Sequence, residues 1–397
     1  MKFASARSIA RDSKLALHEA YQELLQKLGG SPDLIFLYTT ETFDTEAVNA
    51  HLGELAGTVP IHGGTSCQGV MTDEGMASEE GHGLALMGIA DGEGAYGVGA
   101  ADIGDAPREA ASRAVQEALN NAGRPGQVPQ MLWLMAAPGV EEELIAGIQQ
   151  LLGTKVPIMG GSSADNAVAG NWKQFANGNV YENAVVIAAI FSSADVDYSF
   201  HSGYEPTAKR GKVTRAEGRL LYEIDGKPAA QVYNDWIGGE LDEELEQGGN
   251  ILAKTTLYPL GRVVGTIEGT PYFQLSHPDG LAPQGGLTLF STVEAGDELI
   301  LMTGTVDSLI SRAGRVGQAV QDSAVSDRKK IMGSLVIYCA GCMLTVQERI
   351  DEVAREMGDV LGGQPYIGAF TFGEQGCFIG GENRHGNLMI SVVTFSQ

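Results

Sequence analysis

One seven-residue pattern occurs three times in this chain and constrains its fold more than any bulk property does. Pro60-Ile-His-Gly63-Gly-Thr-Ser66 returns 97 residues later as Pro157-Ile-Met-Gly160-Gly-Ser-Ser163, and 208 residues after that as Pro365-Tyr-Ile-Gly368-Ala-Phe-Thr371. Each copy is proline, two bulky residues, glycine, a small residue and, at the sixth place after proline, a hydroxyl; the third copy is looser, with Phe370 in place of a small hydroxyl. The surroundings repeat with the motif. An apolar run precedes it at 34–38, 131–135 and 335–338, and Leu34 and Met131 are again 97 residues apart. Such a period marks one supersecondary unit used three times, whose copies must bury their apolar faces against each other.

Between run and motif, residues 45–55, 141–152 and 346–360 place apolar side chains at helical spacing, as at Leu144, Ile145, Ile148, Leu151 and Leu152. An earlier helix is predicted over 13–28, 106–122 and 306–324, and an apolar strand follows each motif at 84–89, 184–190 and 388–395. Near-continuous apolar strands alternating with helices imply sheets covered on both faces. The fold class is therefore α/β: three related strand-helix-strand-helix-strand-strand units of about 100 residues with largely parallel pairing, plus a mostly-β insert. Two units fill 1–195 and the third fills 296–397. The stretch 196–295 has no counterpart. In it Pro228 opens a helix reaching Trp236, an acidic patch covers 240–246, and 258–298 alternates short strands with Gly, Pro and Asp turns.

Composition narrows the function classes. The 50 acids against 26 bases give a formal charge of −24, which repels phosphate backbones and anionic headgroups and excludes nucleic acid as a partner. The longest apolar run, 184–191, is far short of the roughly 20 residues a membrane helix needs. No apolar signal core follows the basic residues Arg7, Arg11 and Lys14. Four cysteines, unevenly spaced, make no disulfide framework, which points to a reducing cytoplasm.

In open α/β sheets ligands bind beyond the carboxyl ends of the strands. Two loops per unit fall there: one after the apolar run (39–41, 137–139, 339–342), the other after the motif strand (64–69, 161–166, 369–377). Glycines at 63–64 and 160–161 let the backbone approach a guest, and Thr65, Ser66, Ser162, Ser163 and Thr371 supply hydroxyls. Cys67 and Cys339 lie in the same loops, and Asp165, Asn166, Glu374, Asn383 and Arg384 can fix a charged group. The expected site is a polar cleft where these loops converge.

The motifs and their order resemble the FIST family over nearly the whole chain. Its N-terminal half is similar to Asp33 through about Gly218, with Gly-Gly-Thr-Ser at 63–66 and Gly-Gly-Ser-Ser at 160–163. Its C-terminal half is similar to about 220–397. The likeness there rests on Ile224-Asp-Gly226-Lys-Pro-Ala, Val232-Tyr233, Tyr258-Pro-Leu-Gly261, Cys339-Ala-Gly341, Glu348-Arg349, the 368–376 stretch and Asn383-Arg-His385-Gly-Asn387. The resemblance implies a sensory, signal-transducing protein that binds small ligands such as amino acids and acts through a separate partner. Some stand-alone members of the family are haem-binding nitric oxide sensors that regulate a histidine kinase. Two positions depart from the family and bear on the ligand: Cys342 stands where arginine is common, and Phe370 makes the third loop less polar.

Other chemistries are weaker on the page. Cys339-x-x-Cys342 has the spacing of a thiol-redox pair, and Cys339, Cys342, Cys377 and His385 form an alternative zinc set. Non-covalent haem would need His385, His62 or a cysteine as axial ligand. Neither Ser66 nor Ser163 sits in Gly-x-Ser-x-Gly, so the chain is not expected to be an enzyme. The Gly-x-Gly-x-x-Gly match at 92–97 precedes a strand, the wrong context for a dinucleotide.

Overall fold

The computed structural model describes every residue except 268–269, 327–328 and 379; the first pair falls in the strand-rich stretch predicted at 258–298. The first unit runs β1 (Lys2–Ser8), α1 (Ser13–Leu28), β2 (Leu34–Thr39), α2 (Thr45–Ala56), β3 (Ile61–Thr65), a hairpin of β4 (Val70–Thr72) and β5 (Gly75–Ala77), and β6 (Leu84–Ala90). The second repeats it: β7 (Ala95–Asp102), α3 (Pro107–Asn121), β8 (Met131–Ala136), α4 (Glu141–Leu152), β9 (Ile158–Ser162), a hairpin of β10 (Gln174–Ala176) and β11 (Asn179–Tyr181), and β12 (Ala184–Phe191).

A further strand, β13 (Asp195–His201), precedes the insert. The insert holds β14 (Glu205–Glu217), β15 (Leu220–Ile224), β16 (Lys227–Pro228), α5 (Ala229–Ile237), α6 (Asp242–Gln247), α7 (Leu252–Thr255), β17 (Leu260–Ile267), β18 (Thr270–Ser276), β19 (Pro278–Ala282), β20 (Gly286–Leu289) and β21 (Glu298–Thr303). Then come α8 (Val306–Ser326), β22 (Ile331–Cys339), a short α9 (Ala340–Thr345), α10 (Ile350–Val360), β23 (Tyr366–Thr371), a hairpin of β24 (Glu374–Cys377) and β25 (Asn383–Gly386), and β26 (Ile390–Ser396). Because β13 pairs with β26, as β1 pairs with β6 and β7 with β12, it is the first strand of the third unit.

Local chemistry starts and stops these elements. Asp12 caps α1 by accepting from Leu15 N at 2.8 Å, and Gly29 ends it in the left-handed region. Asp44 caps α2 through Ala47 N at 3.0 Å, and Pro107 opens α3 where its missing N–H costs nothing. Ala16, Leu17, Ala20, Tyr21, Leu24 and Leu28 form the buried stripe of α1.

Each unit builds one six-stranded sheet, with strand orders β1-β6-β2-β3-β10-β11, β7-β12-β8-β9-β24-β25 and β13-β26-β22-β23-β4-β5. The hairpin completing each sheet comes from another unit: the second lends β10–β11 to the first, the third lends β24–β25 to the second, and the first lends β4–β5 to the third. Among the described residues parallel pairing is confined to the strands flanking each motif, β2–β3, β8–β9 and β22–β23. The ladders outside those pairs are antiparallel. An apolar run reports that both faces of a strand are covered, not which way its neighbour points. Here Ile35 and Leu37 of β2 pack under α1 and α2, while Phe36 and Tyr38 enter a core shared by the three sheets. In that core Trp133 Nε1 donates to Tyr38 Oη at 2.8 Å. The insert forms its own eight-stranded antiparallel sheet around Val213, Leu221, Tyr233, Leu260 and Leu287.

Candidate functional site

The three motif loops meet. Cys67 N donates to Phe370 O at 3.0 Å and Ala164 N to Thr65 O at 2.9 Å. Ser162 N donates to Gly373 O at 2.8 Å, and Phe372 N to Ser162 O at 3.1 Å. Ser66 Oγ accepts from Phe370 N at 2.8 Å and donates to Gly69 O at 2.5 Å. Thr65, Ser66, Cys67, Ser162, Ser163 and Asp165 are all buried. The backbones of these loops therefore satisfy one another, and the convergence makes a closed hub rather than a hollow, in which the buried Ser163 hydroxyl has no hydrogen-bond partner.

The hollow lies to one side, at the junction of the second and third units beneath the insert. It encloses about 790 Å³. The second unit contributes Pro138, Gly139, Glu141, Val168 and Trp172, and the third contributes Cys339, Gly341, Leu344, Thr345, Thr371, Phe372 and Asn387. The insert closes it with Arg219, the α7 segment Asn250–Thr256, His277, Asp279, Leu289 and Phe290. The walls are mainly apolar, with a few polar groups fixed in place, the make-up of a small-molecule site.

Those polar groups are held by the body of the fold. Glu141, at the start of α4, is buried: its Oε1 accepts from Ser162 Oγ at 2.7 Å, and its Oε2 accepts from Gly139 N at 3.0 Å and Arg219 at 2.6 Å. Arg219 also reaches Glu142 at 2.8 Å, whose Oε1 accepts from Thr292 N at 2.9 Å. Burial alone would raise both carboxyls, but the charges of His385 and Arg219 outweigh it, so Glu141 lies below the ordinary range and Glu142 is held at about 2. This ion group ties the insert to the second unit at the cavity's edge. Also in the lining, Asn387 Oδ1 accepts from His277 N at 3.2 Å, and the His277 ring packs edge-on against Phe290.

Of the site residues expected from sequence, Cys339 lines the cavity, and Thr371, named for its hydroxyl, lines it too. The others lie outside that lining. Asp165 accepts from the backbone N–H groups of Ala167, Ala169 and Asn171 and so shapes its own loop. Asn166 N donates to the Glu41 carboxylate at 2.9 Å. Ser163 N bonds Ala136 O at 2.8 Å. Asn383 pins β25 to the second unit through Ile158 N and Val156 O, each at 2.8 Å. Arg384 pairs with Glu382 at the surface. Glu374 sits just behind Thr371, accepting from its hydroxyl and from Met389 N, and burial pushes its carboxyl well above the usual range. Arg219, Glu141, His277 and Phe290 were missed. Arg219, His277 and Phe290 sit in the unrepeated insert, and Glu141 reads in sequence only as the start of a helix.

The alternative zinc set does not assemble. Among the described residues no three His, Cys, Asp or Glu side chains surround a common point. Cys377 faces Tyr198, and His385 Nε2 lies 3.2 Å from Phe290 O. Nor do the lining residues fit haem. His62 is a core residue with Nε2 3.3 Å from Val186 O, pushed down to about 3 by burial. The cavity's own histidine, His277, has Nε2 3.0 Å from Thr255 Oγ1, and Cys339 is a buried thiol that burial pushes well up.

Comparison with known proteins agrees with this architecture. The FIST N domain matches residues 33–227 and the FIST C domain matches 229–377. An uncharacterised protein of Methanocaldococcus jannaschii is 37% identical over 82 residues, which are 21% of this chain and 16% of that protein. The matched segment thus spans about a sixth of that relative's length. Among solved structures, a cyanuric acid hydrolase from A. caulinodans aligns over 77% of this chain and 99% of its own, at 11% identity and a TM-score of 0.29, too loose a likeness to carry an argument.

Proposed function

Since the chain belongs to the FIST family, whose domains are in general sensory and bind small ligands, we propose that it is a ligand-binding input protein whose site is the cavity under the insert. One observation carries the reading: the walls come from three separate parts of the fold, the second unit, the third unit and the insert. A guest that touches all three favours one relative placement of them, which is how binding becomes a signal that a separate partner, such as a histidine kinase, can read. The volume suits a guest of metabolite size. Its apolar body would lie against Phe290, Leu252 and Phe372, and a carboxylate would compete with Glu141 and Glu142 for Arg219. Amino acids and small carboxylates are the class to try first.

The test is a thermal-shift screen of amino acids and small carboxylates on the wild type and on Gly341→Leu. A Cβ at Gly341 meets nothing closer than 3.5 Å, so leucine enters the cavity without straining the backbone. A true ligand at about 100 times its Kd adds about 2.7 kcal/mol to the wild type and nothing to the blocked variant. If no compound stabilises the wild type and no small molecule is released on denaturing it, the proposal fails. A visible spectrum of the same preparation addresses the haem reading: a Soret band that moves with nitric oxide would replace the metabolite with haem.

A further inference from the structure

We propose that Cys339 and Cys342 form a reversible dithiol–disulfide pair, entered through the cavity and oxidised by a small-molecule disulfide. This goes beyond the ligand-binding reading and shares with it only the requirement that the cavity admit a small guest.

The two sulfurs stand in different places for different tasks. Cys339 ends β22 and opens on the cavity. Cys342, three residues on in α9, is fully buried. Only Ala340 and Gly341 intervene between them, across the junction of β22 and α9. Behind Cys342 sits Arg312, fully buried, its guanidinium over the rings of Tyr204 and Tyr338 at 5.6 and 5.0 Å. Its Nη1 donates to the carbonyls of Ser202 and Leu388, whereas Nε and Nη2 have no hydrogen-bond partner. Among the described residues no carboxylate comes within ion-pair distance of it. A buried cation without a carboxylate calls for another anion. A Cys342 thiolate, favoured by the nearby Arg312 charge, supplies it, with Tyr204 Oη 3.5 Å from the sulfur.

The proton distribution follows. Burial opposes a thiolate at Cys342, but the Cys339 S–H, Arg312 and the Tyr204 hydroxyl together hold it down at about 6. Burial and the neighbouring Cys342 and Glu374 push Cys339 well up. The resting pair is thus a Cys339 thiol beside a Cys342 thiolate. The other cysteines lack this arrangement: burial pushes Cys67 up to about 12 and raises Cys377.

Oxidation runs in two exchanges. Cys339 passes its proton to the Cys342 sulfur and attacks one sulfur of the incoming disulfide, whose S–S bond breaks and releases one thiolate. That thiolate takes the proton back from Cys342. The Cys342 thiolate then attacks the Cys339 sulfur, forming the Cys339–Cys342 bond and expelling the second thiolate, which is protonated from solvent. Two cysteine sulfurs lose two electrons, and the small disulfide becomes two thiols. The buried Arg312 charge stabilises the thiolate of the reduced form, so the pair returns readily to dithiol.

Reduced protein would be exposed to hydroxyethyl disulfide, denatured with N-ethylmaleimide and digested for mass spectrometry. The expected product links Cys339 to Cys342 with Cys67 and Cys377 alkylated, and dithiothreitol reverses it. Cys342→Ser stalls at a mixed disulfide on Cys339, and Cys339→Ser leaves Cys342 unmodified. A wild-type measurement stands independently of the variants' folding: the same disulfide carried on a polymer too large for the cavity oxidises the pair at least tenfold more slowly. Both cysteines alkylated after oxidation, equal rates with the polymer, or stoichiometric zinc lost in Cys339→Ser would each overturn the proposal. Ligand-induced thermal shifts in Cys342→Ser report on the sensing reading separately.

Discussion

Glu142 links the charge of one side chain to the attachment of the insert. Its folded pKa of about 2 lies below the ordinary value of 4.5, so its stabilisation is complete above pH 4.5 and is lost as pH falls towards 2. The shift corresponds to about 3 kcal/mol at neutral pH, an upper figure for a partly exposed group. Glu142→Gln mimics the protonated carboxyl. Urea titrations should therefore show the variant less stable than the wild type by about 2–3 kcal/mol at pH 7, with the gap closing at acid pH. A gap that stays constant with pH would mean that packing, not charge, holds the contact. This residue was not legible beforehand, because an acidic first turn looks the same whether it faces water or an arginine 77 positions away. The same ambiguity misplaced the hydroxyls: Ser66 and Ser162 were correctly read as converging, but nothing local tells a hydroxyl facing a guest from one facing Phe370 N or Glu141.

Among the elements, the motif strands explain why the repeat was visible at all. A Cβ at Gly63 would lie 1.8 Å from Leu37 O, and one at Gly160, where φ is +147°, would lie 1.9 Å from Leu134 O. Glycine is required there because the neighbouring strand's carbonyl occupies the side-chain position. The third copy is under less constraint: at Gly368 the nearest atom, at 3.0 Å, is the end of the flexible Met71 side chain. Gly160→Ala should therefore cost about 3 kcal/mol or more, and Gly368→Ala about 1 kcal/mol, both measured by urea denaturation. Equal costs would show that the glycine marks ancestry rather than a steric need. Helix and strand positions were legible because periodicity reports burial. Pairing direction and the exchange of hairpins were not, since a three-residue strand such as Val70–Thr72 carries no mark of the distant β23 it joins.

The whole molecule is a closed ring of loans, and the ring fixes both its cooperativity and the place of its cavity. The insert interrupts only the third unit, so one junction alone receives extra walls and the repeat's symmetry breaks there. Removing the third unit should undo more than a third of the structure. A fragment of residues 1–195 would leave β9 without β24 and the β4–β5 hairpin without β23. It would also uncover Phe36, Trp133 and Met135, whose core is completed by Val336, Tyr338 and Phe370. Unpaired edges and an opened apolar face predict a collapsed but poorly ordered chain, with sloping melts, dye binding and weak near-UV dichroism. A sharp, reversible transition in that fragment, with Trp133 as shielded as in the full chain, would mean that each pair of units folds alone. Ligand-driven movement would then have to arise within a unit, because the hairpin exchange would no longer couple the junctions to one another.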